Sequence, residues 1–309
     1  MNITNAGFQI ETPLALPEDE VQLWRVDLEA VGSDESRWQK VLSSDETIRA
    51  SRFHFPRDRQ RFVAARGLLR IILSAYLATD PNQLRFSYSK KEKPSLGPAH
   101  ADSGVTFNVS HSGGIALLAF TRRRDIGVDV EQVRSDFDLE AIARRFFSAD
   151  EQKQLATAPA EEKPEAFFRC WTRKEAYIKA TGDGLSLPLS QFDVSLATEE
   201  KTNALLATRP DGSEAGRWLL QAVPAGSGYL AALCVRGQDW KLAGWWEDRR
   251  TPSQYPGRVG GDGQVARSSL KLVELLCPLS QLFSYSEAQS RVCRRNAPHK
   301  ALRFICLRG

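Results

Sequence analysis

Nothing in this sequence suits a membrane span, a disulfide framework or a zinc site. No apolar run approaches the roughly 20 residues that a helix needs to cross a bilayer. Met1 to Glu20 hold four acidic side chains and no Lys or Arg, so the charged opening of a secretory signal is missing and a cytoplasmic location is expected. The five cysteines, Cys170, Cys234, Cys277, Cys293 and Cys306, are odd in number and share no paired spacing, which reads as reduced thiols without common chemistry. A basic body is missing as well. The net charge of +4 conceals a local excess: Asp248 to Gly309 contain 11 Lys and Arg against 4 Asp and Glu, which leaves 31 basic and 34 acidic residues, a net of −3, in the rest. That balance argues against a nucleic-acid binder.

What is present is an ordinary globular composition, 42% hydrophobic and 26% charged. At 309 residues the chain exceeds the size at which single cores stop growing, so two units are expected. A helix is signalled from Asp58 to Leu77, where Phe62, Ala65, Leu69, Ile72 and Tyr76 recur at helical spacing. Short strands follow at Leu84 to Tyr88, Val105 to Val109, Ile115 to Phe120 and Ile126 to Glu131, separated by turn residues. The order then returns: a helix from Glu165 to Thr181, and strands at Phe192 to Leu196, Trp218 to Ala222 and Leu230 to Val235. Between the two sets, Ser148 to Glu151 form a capping box. The repetition predicts an α+β fold, a pseudo-two-fold duplication of a helix plus a small antiparallel sheet, with a cleft between the lobes. The lobes are expected at residues 1–132 and 133–247. Residues 248–309, Pro and Gly rich and then scattered in Arg and Cys, read as an appended basic tail without order.

Three segments carry the chemistry. In Ile126-Gly127-Val128-Asp129-Val130-Glu131, strand alternation sends the valines to one face and both carboxylates to the other. Like charges so close raise each other's pKa unless a cation lies between them, and hard divalent ions prefer such oxygen ligands. An isolated D-x-E is nonetheless more often a solvated strand face. In Phe167 to Lys179, the residues Phe168, Trp171, Glu175 and Lys179 share one helical face, so an apolar stripe runs into an acid that needs a partner. That partner is either a metal or simply Lys179 four residues on. Finally, Phe107-Asn108-Val109-Ser110-His111-Ser112-Gly113-Gly114 ends a strand in a polar cluster and a Gly turn suited to phosphate, with Lys90-Lys91-Glu92-Lys93-Pro94 upstream.

In family order, Arg52-Phe53, Lys93-Pro94, Phe107 to Gly113, Gly127 to Glu131, Arg145 to Ser148 and Trp171 to Leu187 resemble the 4'-phosphopantetheinyl transferases, in the larger two-lobed form typified by the surfactin synthetase activator. The match runs from about Asp45 to Val235; Trp171-x-x-Lys174-Glu175-Ala176-x-x-Lys179 and Gly184 to Leu189 are its most characteristic parts. The resemblance implies transfer of the phosphopantetheine of coenzyme A to a serine of an apo acyl or peptidyl carrier. It implies Mg²⁺, or Mn²⁺, on Asp129, Glu131 and Glu175. Glu175 would be the base, and Lys179 with Lys174 would stabilise the transition state. Nucleotide contacts are implied at Arg49, Arg66, Lys93, Asn108, Ser110 and His111. One position in the first helix where some members offer a small hydroxyl residue is Phe62 here. Carrier docking is expected after Glu131, at Phe137 and Leu139. A monomer is expected, since a duplication lets one chain complete the site, with neither membrane nor nucleic acid as partner. The same acids would also serve a Mg²⁺-dependent pyrophosphatase or nucleotidyl transferase; the arginine-rich helix and the tail leave a nucleic-acid-binding module as a further alternative.

Overall fold

A computed structural model describes residues 3–5, 8–10, 13–32, 35–198 and 203–245. The expected tail at 248–309 lies outside the described residues. A short hairpin, β1 (Ile3–Asn5) and β2 (Phe8–Ile10), precedes strand β3 (Glu20–Asp27), three short helices, α1 (Leu28–Gly32), α2 (Glu35–Gln39) and α3 (Ser44–Ser51), and the long helix α4 (Pro56–Leu77). The hairpin β4 (Phe86–Tyr88) and β5 (Pro94–Leu96) leads to β6 (Val105–Ser112), β7 (Ile115–Arg122) and β8 (Ile126–Gln132). Helices α5 (Leu139–Phe146), α6 (Ala149–Thr157) and α7 (Lys163–Thr181) come next, followed by β9 (Phe192–Val194), β10 (Leu205–Thr208), β11 (Trp218–Ala222), β12 (Tyr229–Arg236) and β13 (Lys241–Trp245).

Among the described residues the two larger sheets are a four-stranded one in the order β13-β3-β7-β6 and a three-stranded one in the order β11-β12-β8, beside the two-stranded pairs β1-β2, β4-β5 and β9-β10. Alternation along the strands explains how they stack. On β7, Ala116, Leu118 and Phe120 join the core beneath α4, while Ile115, Leu117 and Ala119 join a second cluster with Val128 and Val130 of β8 and Ala231, Leu233 and Val235 of β12. On β12, Ala232 and Cys234 turn the other way, into a third core beneath α7. The layers are therefore α4, first sheet, second sheet, α7, with an apolar slab between the sheets that both lobes share. This is the expected α+β duplication of helix and small sheet.

Each long helix is shaped by its ends and is buried nearly all round in its middle. α4 opens with Pro56 at its first position and ends at Ala78, a left-handed cap with φ 49°. α7 ends at Gly182 with φ 77°, whose N–H returns to the carbonyl of Ile178. Within its core Phe167 stacks between Phe147, at 5.2 Å, and Trp171, at 6.0 Å. In the first lobe the buried carboxylate of Glu46 holds two guanidinium groups, Arg70 at 2.6 Å and Arg66 at 3.0 Å, and so ties α3 to α4.

Six strands, β1, β2, β3, β5, β10 and β13, are not among those expected from the sequence, and two of them matter for the architecture. β3 is buried on both faces from Val21 to Trp24, so it shows no alternation. β13, counted with the second lobe from sequence, lies parallel to β3 in the first sheet, Lys241 opposite Glu20 and Trp245 opposite Trp24.

Candidate active site

The two sheets meet edge to edge at β6 and β8, and side chains make the join. Asn108, Ser110 and Ser112 point the same way from β6 at every second residue. The N–H of Val128 donates to Asn108 Oδ1 at 2.9 Å, that of Val130 to Ser110 Oγ at 3.3 Å and that of Gln132 to Ser112 Oγ at 3.1 Å. Three such bonds contribute about 0.5–1.5 kcal/mol each, small beside the shared apolar slab. Their effect is on register. A slip of one residue would turn Asp129 and Glu131 into the slab and the valines out of it.

Both hydroxyls also donate onward. Ser110 Oγ reaches Asp129 Oδ1 at 2.9 Å, and Ser112 Oγ reaches Glu131 Oε2 at 2.6 Å. The polar strand end and the paired carboxylates, separate in sequence, are thus one hydrogen-bonded unit.

α7 closes over them at very short range. Gly127 is what permits this: a Cβ there would stand 2.1 Å from the carbonyl oxygen of Ala176 and 2.3 Å from the nitrogen of Ala180. The approach brings Lys179 Nζ to 2.7 Å from Asp129 Oδ1 and 3.1 Å from Ser110 Oγ. Burial works against the Lys179 charge, yet Asp129, Glu175 and Glu131 outweigh it and hold the ammonium above the ordinary lysine pKa. All three sequence-assigned carboxylates therefore act on one cation, Asp129 and Glu131 from β8 and Glu175 from α7, and Ser110 of the first sheet reaches the same ammonium. Asp129 is 3% exposed and Glu175 6%, and Asp129 Oδ2 is buried without a hydrogen-bond partner. Among the described residues, no His, Cys, Asp and Glu side chains gather closely enough, three or more together, to hold a metal in this arrangement, in which Lys179 stands against Asp129.

Other sequence-assigned residues lie apart. Lys174 is fully buried in the second core, where Nζ donates to Glu151 Oε1 at 2.8 Å and to the carbonyls of Leu189 and Phe192. Its partner Glu151 completes the expected capping box and also accepts from the Val194 N–H at 2.8 Å. Lys93 Nζ donates to the carbonyl oxygens of Lys179, Ile126 and Ala180 at the seam. Arg66 and Arg49 stay in the first lobe: Arg66 forms an ion pair with Glu46 and donates to the Tyr88 hydroxyl, and the exposed Arg49 lies 5.4 Å from the Phe62 ring. His111 is half-buried on the opposite face of β6 from Ser110. Phe137 and Leu139 pack, half-buried, against the second core. Ser112 and Gly127 lie inside the motifs, yet the sequence alone points to no role for either. The one signal is the spacing: Asn108-x-Ser110-x-Ser112 has the same two-residue period as Asp129-x-Glu131.

Comparison with known proteins covers both lobes. Residues 125–234 match the model of the 4'-phosphopantetheinyl transferase superfamily, and residues 32–123 that of a 4'-phosphopantetheinyl transferase N-terminal domain. The 4'-phosphopantetheinyl transferase HetI of Nostoc sp. is 44% identical over 232 residues, 75% of this chain and 94% of its own length. The 4'-phosphopantetheinyl transferase Sfp of Bacillus subtilis is 31% identical over 210 residues, 67% of this chain and 88% of its own. The human L-aminoadipate-semialdehyde dehydrogenase-phosphopantetheinyl transferase is 26% identical over 214 residues, 65% and 69% of the two chains. With both lobes matched and the seam built from the motifs that prompted the resemblance, this chain belongs to the 4'-phosphopantetheinyl transferase superfamily.

Proposed function

We propose that this protein transfers the 4'-phosphopantetheine of coenzyme A to a serine hydroxyl of an apo acyl or peptidyl carrier. The serine oxygen forms a bond to the pantetheine-bearing phosphorus, the bond from that phosphorus to the bridging oxygen breaks, and adenosine 3',5'-bisphosphate leaves. The observation that carries this reading is the convergence of Asp129, Glu131 and Glu175 on Lys179 at the seam between the lobes.

Asp129, Glu131 and Glu175 would hold Mg²⁺, or Mn²⁺. The fit rests on an all-oxygen donor set and on Asp129 Oδ2, a buried carboxylate oxygen with no hydrogen-bond partner. Bound there, a divalent ion supplies charge neutralisation at the pyrophosphate. Glu175, buried beside the Lys179 ammonium, takes the serine proton. Lys179, released from Asp129 Oδ1, donates to the phosphoryl oxygens and to the departing bisphosphate. Ser110 and Ser112 keep the two strand carboxylates aimed. Arg49, Arg66 and His111 are the nucleotide contacts of the first lobe, which gives way to the second at β8, a strand of the second sheet. Lys174 and Asn108 act structurally, through Glu151 and the Val128 N–H.

The test incubates the protein with coenzyme A, Mg²⁺ and a panel of apo carriers, and weighs the products. A carrier heavier by one phosphopantetheine supports the reading, and Glu175→Ala should remove that product while leaving the fold intact. Free phosphopantetheine with no modified protein would establish a pyrophosphatase instead.

A further inference from the structure

Lys93 stands in the turn of a first-lobe hairpin, yet its ammonium serves the second lobe. Leu96 and Phe86 fix that hairpin to the core beneath α4. The turn itself is tight: Glu92 adopts φ 62°, and the Ser89 N–H bonds the Lys93 carbonyl at 3.0 Å. From there Lys93 Nζ donates to the carbonyl oxygens of Lys179 at 2.6 Å and Ala180 at 3.2 Å in the last turn of α7, and of Ile126 at 3.2 Å at the start of β8.

Carbonyls in a last helical turn have no N–H partner further along the helix, and a cation there is favoured by the helix dipole. One ammonium therefore satisfies two such carbonyls and a strand carbonyl at once, directly beside Gly127, where α7 and β8 come closest. One of the two belongs to Lys179, whose side chain meets Asp129. Burial lowers the Lys93 pKa from the usual lysine value.

We propose that Lys93 is a positioning residue, which pins the end of α7 from the opposite lobe and so sets where Lys179 stands, rather than a ligand of the nucleotide. The proposal rests on the role assigned to Lys179 above. A nucleotide ligand and a positioning residue predict opposite kinetics.

The experiment compares the full-length protein with Lys93→Met and Lys93→Arg. It measures kcat, KM for coenzyme A, affinity for adenosine 3',5'-bisphosphate and amide exchange at the end of α7. Lys93→Met should lower kcat about tenfold or more, with KM and bisphosphate affinity within about twofold of the parent. Exchange at Gly182 and Asp183 should quicken, and Lys93→Arg, which keeps a charged multiple donor, should recover part of kcat. A raised KM and weakened bisphosphate binding with unchanged exchange would overturn the proposal in favour of a nucleotide contact, and so would a variant unchanged in every readout. Should Lys93→Met not fold, Lys93→Gln and Lys93→Arg supply the same comparison. If the parent modifies no carrier, the transferase reading fails by itself, while the exchange difference still decides whether Lys93 holds α7.

Discussion

Gly127 lies so close to Ala176 that a single added methyl carbon would stand 2.1 Å from its carbonyl oxygen. The atoms it would strike, including the Ala180 nitrogen and the Lys179 carbonyl carbon, are all backbone, so no side-chain rotation relieves the clash. Gly127→Ala must move α7 off β8. The expected result is a loss of roughly 1–3 kcal/mol by denaturant unfolding, accompanied by a fall in transfer rate larger than stability alone explains. A variant with native stability and native rate would mean that α7 is free to shift.

Lys174 and Glu151 form an ion pair with side chains 0% and 1% exposed. Removing one partner strands the other charge in the core, so Lys174→Met or Glu151→Gln should each cost about 3–5 kcal/mol. Replacing both should cost less than the sum, which a double-mutant cycle will read. If Lys174→Met kept full stability and lost only turnover, Lys174 would belong to the reaction after all.

Ser112→Ala removes the donor to Glu131 Oε2 and the acceptor of the Gln132 N–H. With one edge bond lost, stability should fall by about 1–3 kcal/mol. The more telling effect is on Mg²⁺ dependence, since Glu131 loses the contact that aims it. A titration of transfer rate against Mg²⁺ should shift to higher concentration; an unmoved midpoint would remove Ser112 from the support of the site.

Cys170 and Cys234 are both 0% exposed, and burial raises the pKa of each thiol above its ordinary value. Nucleophilic attack needs the thiolate. At mildly alkaline pH both should resist iodoacetamide in the native protein and react fully in denaturant, as peptide mapping by mass will show. Labelling of Cys170 in the native state would mean that the core under α7 opens.

The two long helices and most strands were legible as apolar stretches of the right length between turn residues, although the middle of each helix is buried all round and β7 and β8 are buried on both faces. β3 was not, since Glu20, Gln22 and Arg25 interrupt its apolar residues; β1, β2, β5 and β10 were not, being only three or four residues long; and β13 was not, its partner lying more than two hundred residues away in the chain. At the site, Asp129 and Glu131 could be paired from alternation alone. Lys174 shows the opposite limit. It adjoins Glu175 in sequence, but consecutive helical residues point about 100° apart, and its side chain runs into the core instead. The role of Lys93 was hidden for another reason: helix-terminal carbonyls carry no residue-specific signature, so nothing in the letters says which side chain will answer them.

β13 also decides what can be separated. Among the described residues the outer edge of β3 is covered only by a strand that arrives after the whole second lobe has been traversed. A chain cut between β7 and β8 would yield one fragment with an open strand edge, a template for self-association, and another carrying a strand with no sheet to join. Although the architecture repeats, neither half is a complete molecule, and the first lobe waits for the last strand before its sheet is closed.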